Sequence, residues 1–322
     1  MRTDLFRRRL VTGFACIGVG AAMPCCLPHR ALAAATHQDF ALSEIADGVF
    51  AFRGKNELMT PGNEGAICNL GLVVGAEAAA VIDSGGSLVQ ARAFIAAIKE
   101  VTPKPVRFLI NTHMHPDHIF GNAAFRDAGA TVIGHKNLPR ALEARGAFYL
   151  RNYRSQLGEA LMEGIEIVPP GQIVADRFEL DLGGRVLDLR AWSAAHTDND
   201  LTVYDAATRT LFAGDLVFME HLPTLDGSLL GWIRQMDALA AIDAQRVVPG
   251  HGPVGADWPE ALEAQRRYFE VLAGDIRQAI AEGRPLAETV KTAGRSEASN
   301  WTLFHEYNER NATAAYAELE WE

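Results

Sequence analysis

The chain has 322 residues, 48% of them hydrophobic and 22% charged, and a formal net charge of −10. That acidic balance works against nucleic acid or an anionic membrane as partner. The length suits one large layered domain or two small ones, and no Ser/Gly-rich linker, low-complexity tract or run of charge marks a boundary.

Residues 1–33 read as an export signal. Arg7-Arg8-Arg9 precedes the uncharged stretch 10–23, and Ala31-Leu32-Ala33 matches an A-x-A cleavage site. An arginine cluster ahead of a mild apolar region is similar to a twin-arginine signal. The stretch is short and interrupted by Pro24, unlike a membrane-spanning helix. The expectation is therefore a periplasmic protein with no stable membrane insertion after cleavage. Cleavage would remove five arginines and one aspartate, taking the net charge from −10 to −14. It would also remove Cys16, Cys25 and Cys26. Cys68 would then stand alone, which bars an intramolecular disulfide. Its neighbours Ala66, Ile67 and Leu70 point to a buried strand thiol.

Residues 34–322 read as one domain. Segment 45–52 alternates as a first strand; 66–74 and 79–82 are the next two, ending at Asp83-Ser84-Gly85-Gly86. Segment 88–98 has helical periodicity. The apolar run 106–110 reads as a buried strand and leads directly into Asn111-Thr112-His113-Met114-His115-Pro116-Asp117-His118. Three histidines and one aspartate fall within six residues, in a chain with only 10 histidines. Pro116 cannot continue a strand, so the four side chains are expected on a loop at the strand's end. Beyond it, 121–128 reads as helix, 131–133 as strand, and 141–161 as one or two helices over the cluster. Segment 178–192 reads as a hairpin turning at Gly183-Gly184, and 201–204 and 210–212 as strands. An amphipathic helix over 230–242 and a short strand at 246–248 follow. From 259 the chain reads as helical to about 319, with a break at Gly283-Arg284-Pro285.

Three later polar positions also follow apolar runs and sit among small or turn-forming residues. They are His196 in Ala194-Ala195-His196-Thr197, Asp215 in Ala213-Gly214-Asp215-Leu216, and His251 in Pro249-Gly250-His251-Gly252. Imidazole nitrogen and carboxylate oxygen are the donors that hold zinc and other borderline divalent metals. Singly, each could be a buried structural histidine or a turn aspartate. Their order and spacing after the first cluster favour ligands.

On these residues the chain resembles the metallo-β-lactamase superfamily over about 45–255. His113 to His118 match its H-x-H-x-D-H motif, and His196, Asp215 and His251 match its later ligands in order. The resemblance implies an α/β fold, the four-layer αββα metallo-β-lactamase sandwich, with a helical C-terminal extension over about 259–322. It implies one metal on His113, His115 and His196, a second on Asp117, His118 and His251, and Asp215 as the bridge. Two Zn2+ ions per chain would hold a hydroxide between them. That hydroxide would cleave an ester, thioester, lactone or lactam-like bond in a small-molecule substrate. Asp117 is the expected catalytic carboxylate, orienting the nucleophile or moving its proton. Asp83 is expected to steady the metal loops by hydrogen bonds. His135 and His221 are candidates for the pocket, and Trp232, Phe148, Tyr149 and Met219 for its apolar wall.

Phe218 stands where some β-lactamases carry a lysine that grips the drug's carboxylate. Asp215 is kept where those enzymes tend to carry cysteine or serine, so β-lactamase-type antibiotic hydrolysis is an alternative rather than the main expectation. Segment 111–125, Asp226-Gly227-Ser228-Leu229, Gly231-Trp232 and Glu318-Leu319-Glu320-Trp321-Glu322 look like the quinoprotein relay system zinc metallohydrolases. That resemblance implies an exported accessory to PQQ-dependent dehydrogenases that binds no quinone itself. A mononuclear iron dioxygenase on the same fold and a non-catalytic metal-binding accessory protein stay open.

Overall fold

The computed structural model describes residues 40–322; the export-signal reading of residues 1–33 lies outside them. A seven-stranded sheet runs in sequence order. Its strands β1 (Ser43–Ala46), β2 (Val49–Phe52), β3 (Leu70–Val74) and β4 (Ala79–Ile82) pair antiparallel. Helix α1 (Leu88–Val101) crosses to β5 (Val106–Ile110), which is parallel to β4. The short helices α2 (Pro116–Ile119) and α3 (Asn122–Asp127) lead to β6 (Thr131–His135). Helices α4 (Leu138–Leu157) and α5 (Glu159–Met162) lead to the edge strand β7 (Gln172–Val174).

The second sheet is six-stranded. Strands β8 (Arg177–Asp181), β9 (Val186–Ala191), β10 (Leu201–Asp205) and β11 (Thr210–Phe218) form an antiparallel meander. Helix α6 (Leu229–Ala240) crosses to β12 (Arg246–His251), parallel to β11, and β13 (Ala256–Asp257) closes the edge. Helices α7 (Glu263–Ala281), α8 (Leu286–Thr289) and α9 (Phe304–Leu319) complete the chain. Among the described residues no helix is long and apolar enough to cross a membrane.

Strands β3, β4 and most of β11 are apolar runs because both of their faces are buried, whereas the outer strands β1, β8 and β9 carry exposed or half-buried polar residues. Leu70, Leu72, Val81 and Leu109 face one way, onto Phe94 and Ile98 of α1, Phe125 of α3 and Leu142 of α4. Their neighbours Val73, Ala80, Ile82 and Ile110 face the other way and meet Leu189, Val203, Phe212 and Val248 of the second sheet. That sheet's outer face, with Leu211 and Ala213, packs on Trp232 and Met236 of α6, Phe269 and Ile276 of α7 and Ala312 of α9. Three apolar layers thus separate helix, sheet, sheet and helix, which is the expected αββα sandwich.

Local differences have local causes. The strand expected over 45–52 is a hairpin, because Asp47-Gly48 turns with Gly48 at φ 62°. The strand expected from residue 66 starts at Leu70. Asn69 ends the preceding loop: its side chain accepts from the Gly54 amide and donates to the Pro249 and Gly252 carbonyls. Strands β7 and β13 are too short for a periodic signal.

Gly71 is where the two sheets approach most tightly around an aromatic ring. A Cβ there would lie 2.3 Å from the Phe212 ring. Gly71→Ala should therefore destabilise the fold by about 1–3 kcal/mol, read as a lower denaturation midpoint at unchanged slope. An unaltered midpoint would mean that the inter-sheet layer is looser than described.

Candidate metal centre

Seven polar side chains meet where both sheets end. His113 and His115 follow β5 directly. Pro116 occupies the first position of α2, where its missing N–H costs nothing. Asp117 and His118 therefore ride on a helical turn, not on the loop that Pro116 led us to expect. His196 lies between β9 and β10, Asp215 inside β11, and His251 at the end of β12. The β11–β12 ladder loses register between Gly214 and Phe218, which opens room beside Asp215. Gly250 is required there: a Cβ on it would fall 1.9 Å from Asp215 Oδ1.

Each histidine is fixed by a hydrogen bond on its outer nitrogen. His196 Nδ1 donates to the Thr224 carbonyl at 2.7 Å, and His251 Nδ1 to the Ile67 carbonyl at 3.1 Å. His115 Nε2 donates to Asp226 Oδ2 at 3.0 Å, and His118 Nδ1 to Asp83 Oδ2 at 2.8 Å. Thr112 Oγ1 gives its own proton to Asp83 at 2.7 Å, so it accepts from His113 Nδ1 at 3.1 Å. With the outer nitrogens donating, the inner nitrogens present lone pairs.

Three of those lone pairs converge. His113 Nε2, His115 Nδ1 and His196 Nε2 lie 2.9–3.3 Å from one another. No proton is available between them, so the arrangement is repulsive unless a cation sits there. Nitrogens about 2.0–2.1 Å from a tetrahedral metal stand about 3.3 Å apart, so the donors fit one. Asp215 turns Oδ2 toward this group, 3.3 Å from His196 Nε2. Its Oδ1 faces a second group, 3.2 Å from His118 Nε2 and 3.6 Å from His251 Nε2. Asp117 Oδ2 closes that group at 3.4 and 3.3 Å from the same two nitrogens. His118 Nε2 and Asp215 Oδ1 are buried without a hydrogen-bond partner. Orphaned buried polar atoms of this kind are costly unless a ligand satisfies them.

The electrostatics split the two groups. Burial pushes His196 down to about 4 against the pull of Asp215, and burial with the neighbouring His118 holds His113 well below the usual imidazole range. In the second group burial again opposes charge, but Asp215 and Asp117 push His251 up to about 9. His118 is raised likewise against its burial, first by the Cys68 sulfur and then by Asp117, Asp215 and Asp83. Asp117 and Asp215 are held well below the usual carboxylate range by these histidines, despite burial.

Residues 64–251 match the family profile described as the metallo-beta-lactamase superfamily. The chain belongs to that superfamily. Among curated relatives it is similar to the linear primary-alkylsulfatase of Pseudomonas sp., at 23% identity over 228 residues, 60% of this chain and 43% of that one. It is also similar to the beta-lactamase-like protein 2 homolog of Caenorhabditis elegans, at 26% over 164 residues, 50% of this chain and 48% of that one. The chain thus spans under half the length of both relatives. Among solved structures, the sec-alkylsulfatase Pisa1 from Pseudomonas sp. superposes with a TM-score of 0.64 at 16% identity, covering 85% of this chain and 49% of that one. A metallo-beta-lactamase from Pontibacter korlensis gives 0.58 at 21%, covering 71% and 98%. These likenesses show the fold.

In this superfamily member His115, Asp117, Asp215 and His251 form the floor of a cavity of about 330 Å³. Phe148, Tyr149, Tyr153, Phe218 and Tyr307 supply aromatic walls, and Arg145, Arg310 and Asp226 stand among them. His221 also lines it. Its Nδ1 donates to the Leu222 carbonyl at 2.6 Å, which leaves Nε2 as its uncommitted atom. His135 is buried and structural, accepting from the Asn137 amide and donating to the Trp192 carbonyl. Trp232 packs behind His196, and Met219 in the helical layer, so neither is a wall residue. Cys68 is a buried free thiol, as expected, and donates to the Asp117 carbonyl. Asp226 was not among the site residues expected from sequence. Its signals were membership of the Asp226-Gly227-Ser228-Leu229 segment of the subgroup resemblance and the turn before the Ser228 cap of α6.

Because His118 and His251 are protonated near neutrality in the metal-free protein, filling the second group must expel their protons. Zinc affinity should rise with pH up to about 9, where His251 loses its proton. Calorimetric titration at pH 7.5 in two buffers of different ionisation enthalpy should show net proton release; equal heats in both would contradict this charge assignment.

Proposed function

We propose that this chain is a dinuclear zinc hydrolase that cleaves an ester, thioester, lactone or lactam-like bond. What carries the reading is that the donors which fit a metal pair also form the floor of an open cavity. Two bound zinc ions would supply Lewis acidity and a water activated near neutral pH. Three imidazoles and the shared Asp215 carboxylate suit zinc better than a harder ion. Asp117, buried beside His118 and His251 yet lining the cavity, is placed to orient that water or take its proton. Asp226 keeps His115 in the tautomer that presents Nδ1 inward. His221 Nε2 can accept a hydrogen bond from the substrate.

The quinoprotein relay reading rests on sequence resemblance, and two of the segments that carry it meet in the tail. Glu318 accepts from the Ser228 hydroxyl and from the Leu229 amide at 2.8 Å. Two of the four segments carrying that resemblance, 226–229 and 318–322, thus meet at the N-terminus of α6. On this reading the protein works after export as an accessory to PQQ-dependent dehydrogenases. Sulfate-ester hydrolysis is the second reading, favoured by the similarity to alkylsulfatases.

The test is a panel of a nitrophenyl ester, a thioester, a lactone, a β-lactam and an alkyl sulfate, with zinc-loaded protein. At least one should turn over. His196→Ala should lose zinc and at least about 100-fold in kcat/KM. Undiminished turnover in that variant would remove the metal centre from the reaction, and cleavage of the alkyl sulfate alone would install the second reading.

A further inference from the structure

We infer that the cavity contains an oxyanion subsite, built from Tyr149, Arg145 and Arg310, that binds a carboxylate or sulfonate-like group on the non-reacting part of the substrate. This deepens the hydrolase reading and rests on it. Tyr149 and Arg145 are one turn apart on α4, so both face the same side; Arg310 comes from α9. All three line the cavity.

Tyr149 is only 5% exposed, yet its hydroxyl has no hydrogen-bond partner among the described residues. A buried hydroxyl is ordinarily bonded. The Arg145 guanidinium lies beside it but can only donate, so it cannot accept the Tyr149 proton. The missing partner is an acceptor.

The charge count agrees. Asp226 accepts from His115 and from Arg145, and Arg310 stands 3.5 Å away. Two guanidiniums offer about ten N–H donors between them. One carboxylate, already committed to an imidazole, cannot use them. Arg310 makes no hydrogen bond among the described residues and stands 58% exposed. Around Asp226 itself, two guanidiniums thus meet one carboxylate and leave one positive charge over. The arginines are separated from the metal donors by Asp226, a 3.0 Å hydrogen bond and the width of the His115 ring. An anion held there is therefore not the group being cleaved. Phe148, 55% exposed, with Tyr153 and Tyr307, supplies apolar surface for the body between the two.

The experiment compares three 4-nitrophenyl esters on the zinc-loaded protein: the neutral pentanoate, the glutarate half-ester and the 4-sulfobutanoate. It is run with the native chain, Tyr149→Phe and Arg310→Gln. A charged ester should be preferred in kcat/KM by about tenfold or more, mainly through KM. The preference should collapse toward one in both variants. Either anionic ester leading supports the subsite, and which one leads separates a planar from a tetrahedral oxyanion. Equal kcat/KM for neutral and anionic esters, or a preference that survives both substitutions, overturns it. If none of the esters is cleaved, the same compounds are titrated calorimetrically as inert ligands, while the hydrolase reading is judged by the wider panel. Tighter binding of the anionic esters, lost in both variants, then still supports the subsite; equal binding overturns it.

Discussion

The constraint on which the site depends is a buried cluster of metal-type donors turned inward, two of whose atoms find no hydrogen-bond partner among the described residues. Five imidazoles and two carboxylates crowd a buried volume. The outer edge of every ring is already spent on a hydrogen bond. Without a cation the inner lone pairs repel, and the protein meets part of that cost by protonating the second group. With a cation the same geometry is favourable, because the rings are locked in the tautomer that coordinates.

The rigidity comes from the layers. The outer partners belong to different parts of the fold: Asp83 ends β4, Thr112 follows β5, the Ile67 carbonyl precedes β3, and the Thr224 carbonyl and Asp226 precede α6. Asp83 is held at φ 59°, an uncommon backbone for a non-glycine residue. It is kept there by the Thr112 amide and hydroxyl and by His118. Strain of this kind persists where neighbours over-determine the conformation. Asn311 of α9 bonds the Leu225 amide and the Pro223 carbonyl. The C-terminal helix therefore holds the segment that carries Asp226 and lends Tyr307 and Arg310 to the cavity. The tail is both a packed layer and part of the site.

The donor cluster was legible because metal-type chemistry leaves a dense local trace. Four donor side chains in six residues, then three more at the ends of apolar runs, need no long-range information. The sandwich was legible through the same motifs, because the order of strands and helices alone would also suit a doubly wound sheet. What stayed hidden depends on distance in the chain. Asp226 looks like an ordinary turn residue until His115 is seen against it. Tyr149 and Arg145 look like one face of a helix until Arg310 arrives from α9. His135, equally polar in sequence, proves to be structural because two backbone groups satisfy its ring. Pro116 was read correctly as ending the strand, but its fitness for a helix start decided what followed.

The central claim is that this acceptor cluster exists to hold two metal ions. Elemental mass spectrometry of the purified protein tests it most directly. About two zinc ions per chain are expected. A chain that retains no metal and takes up none on addition of zinc, or that holds a single iron in place of zinc, would contradict it.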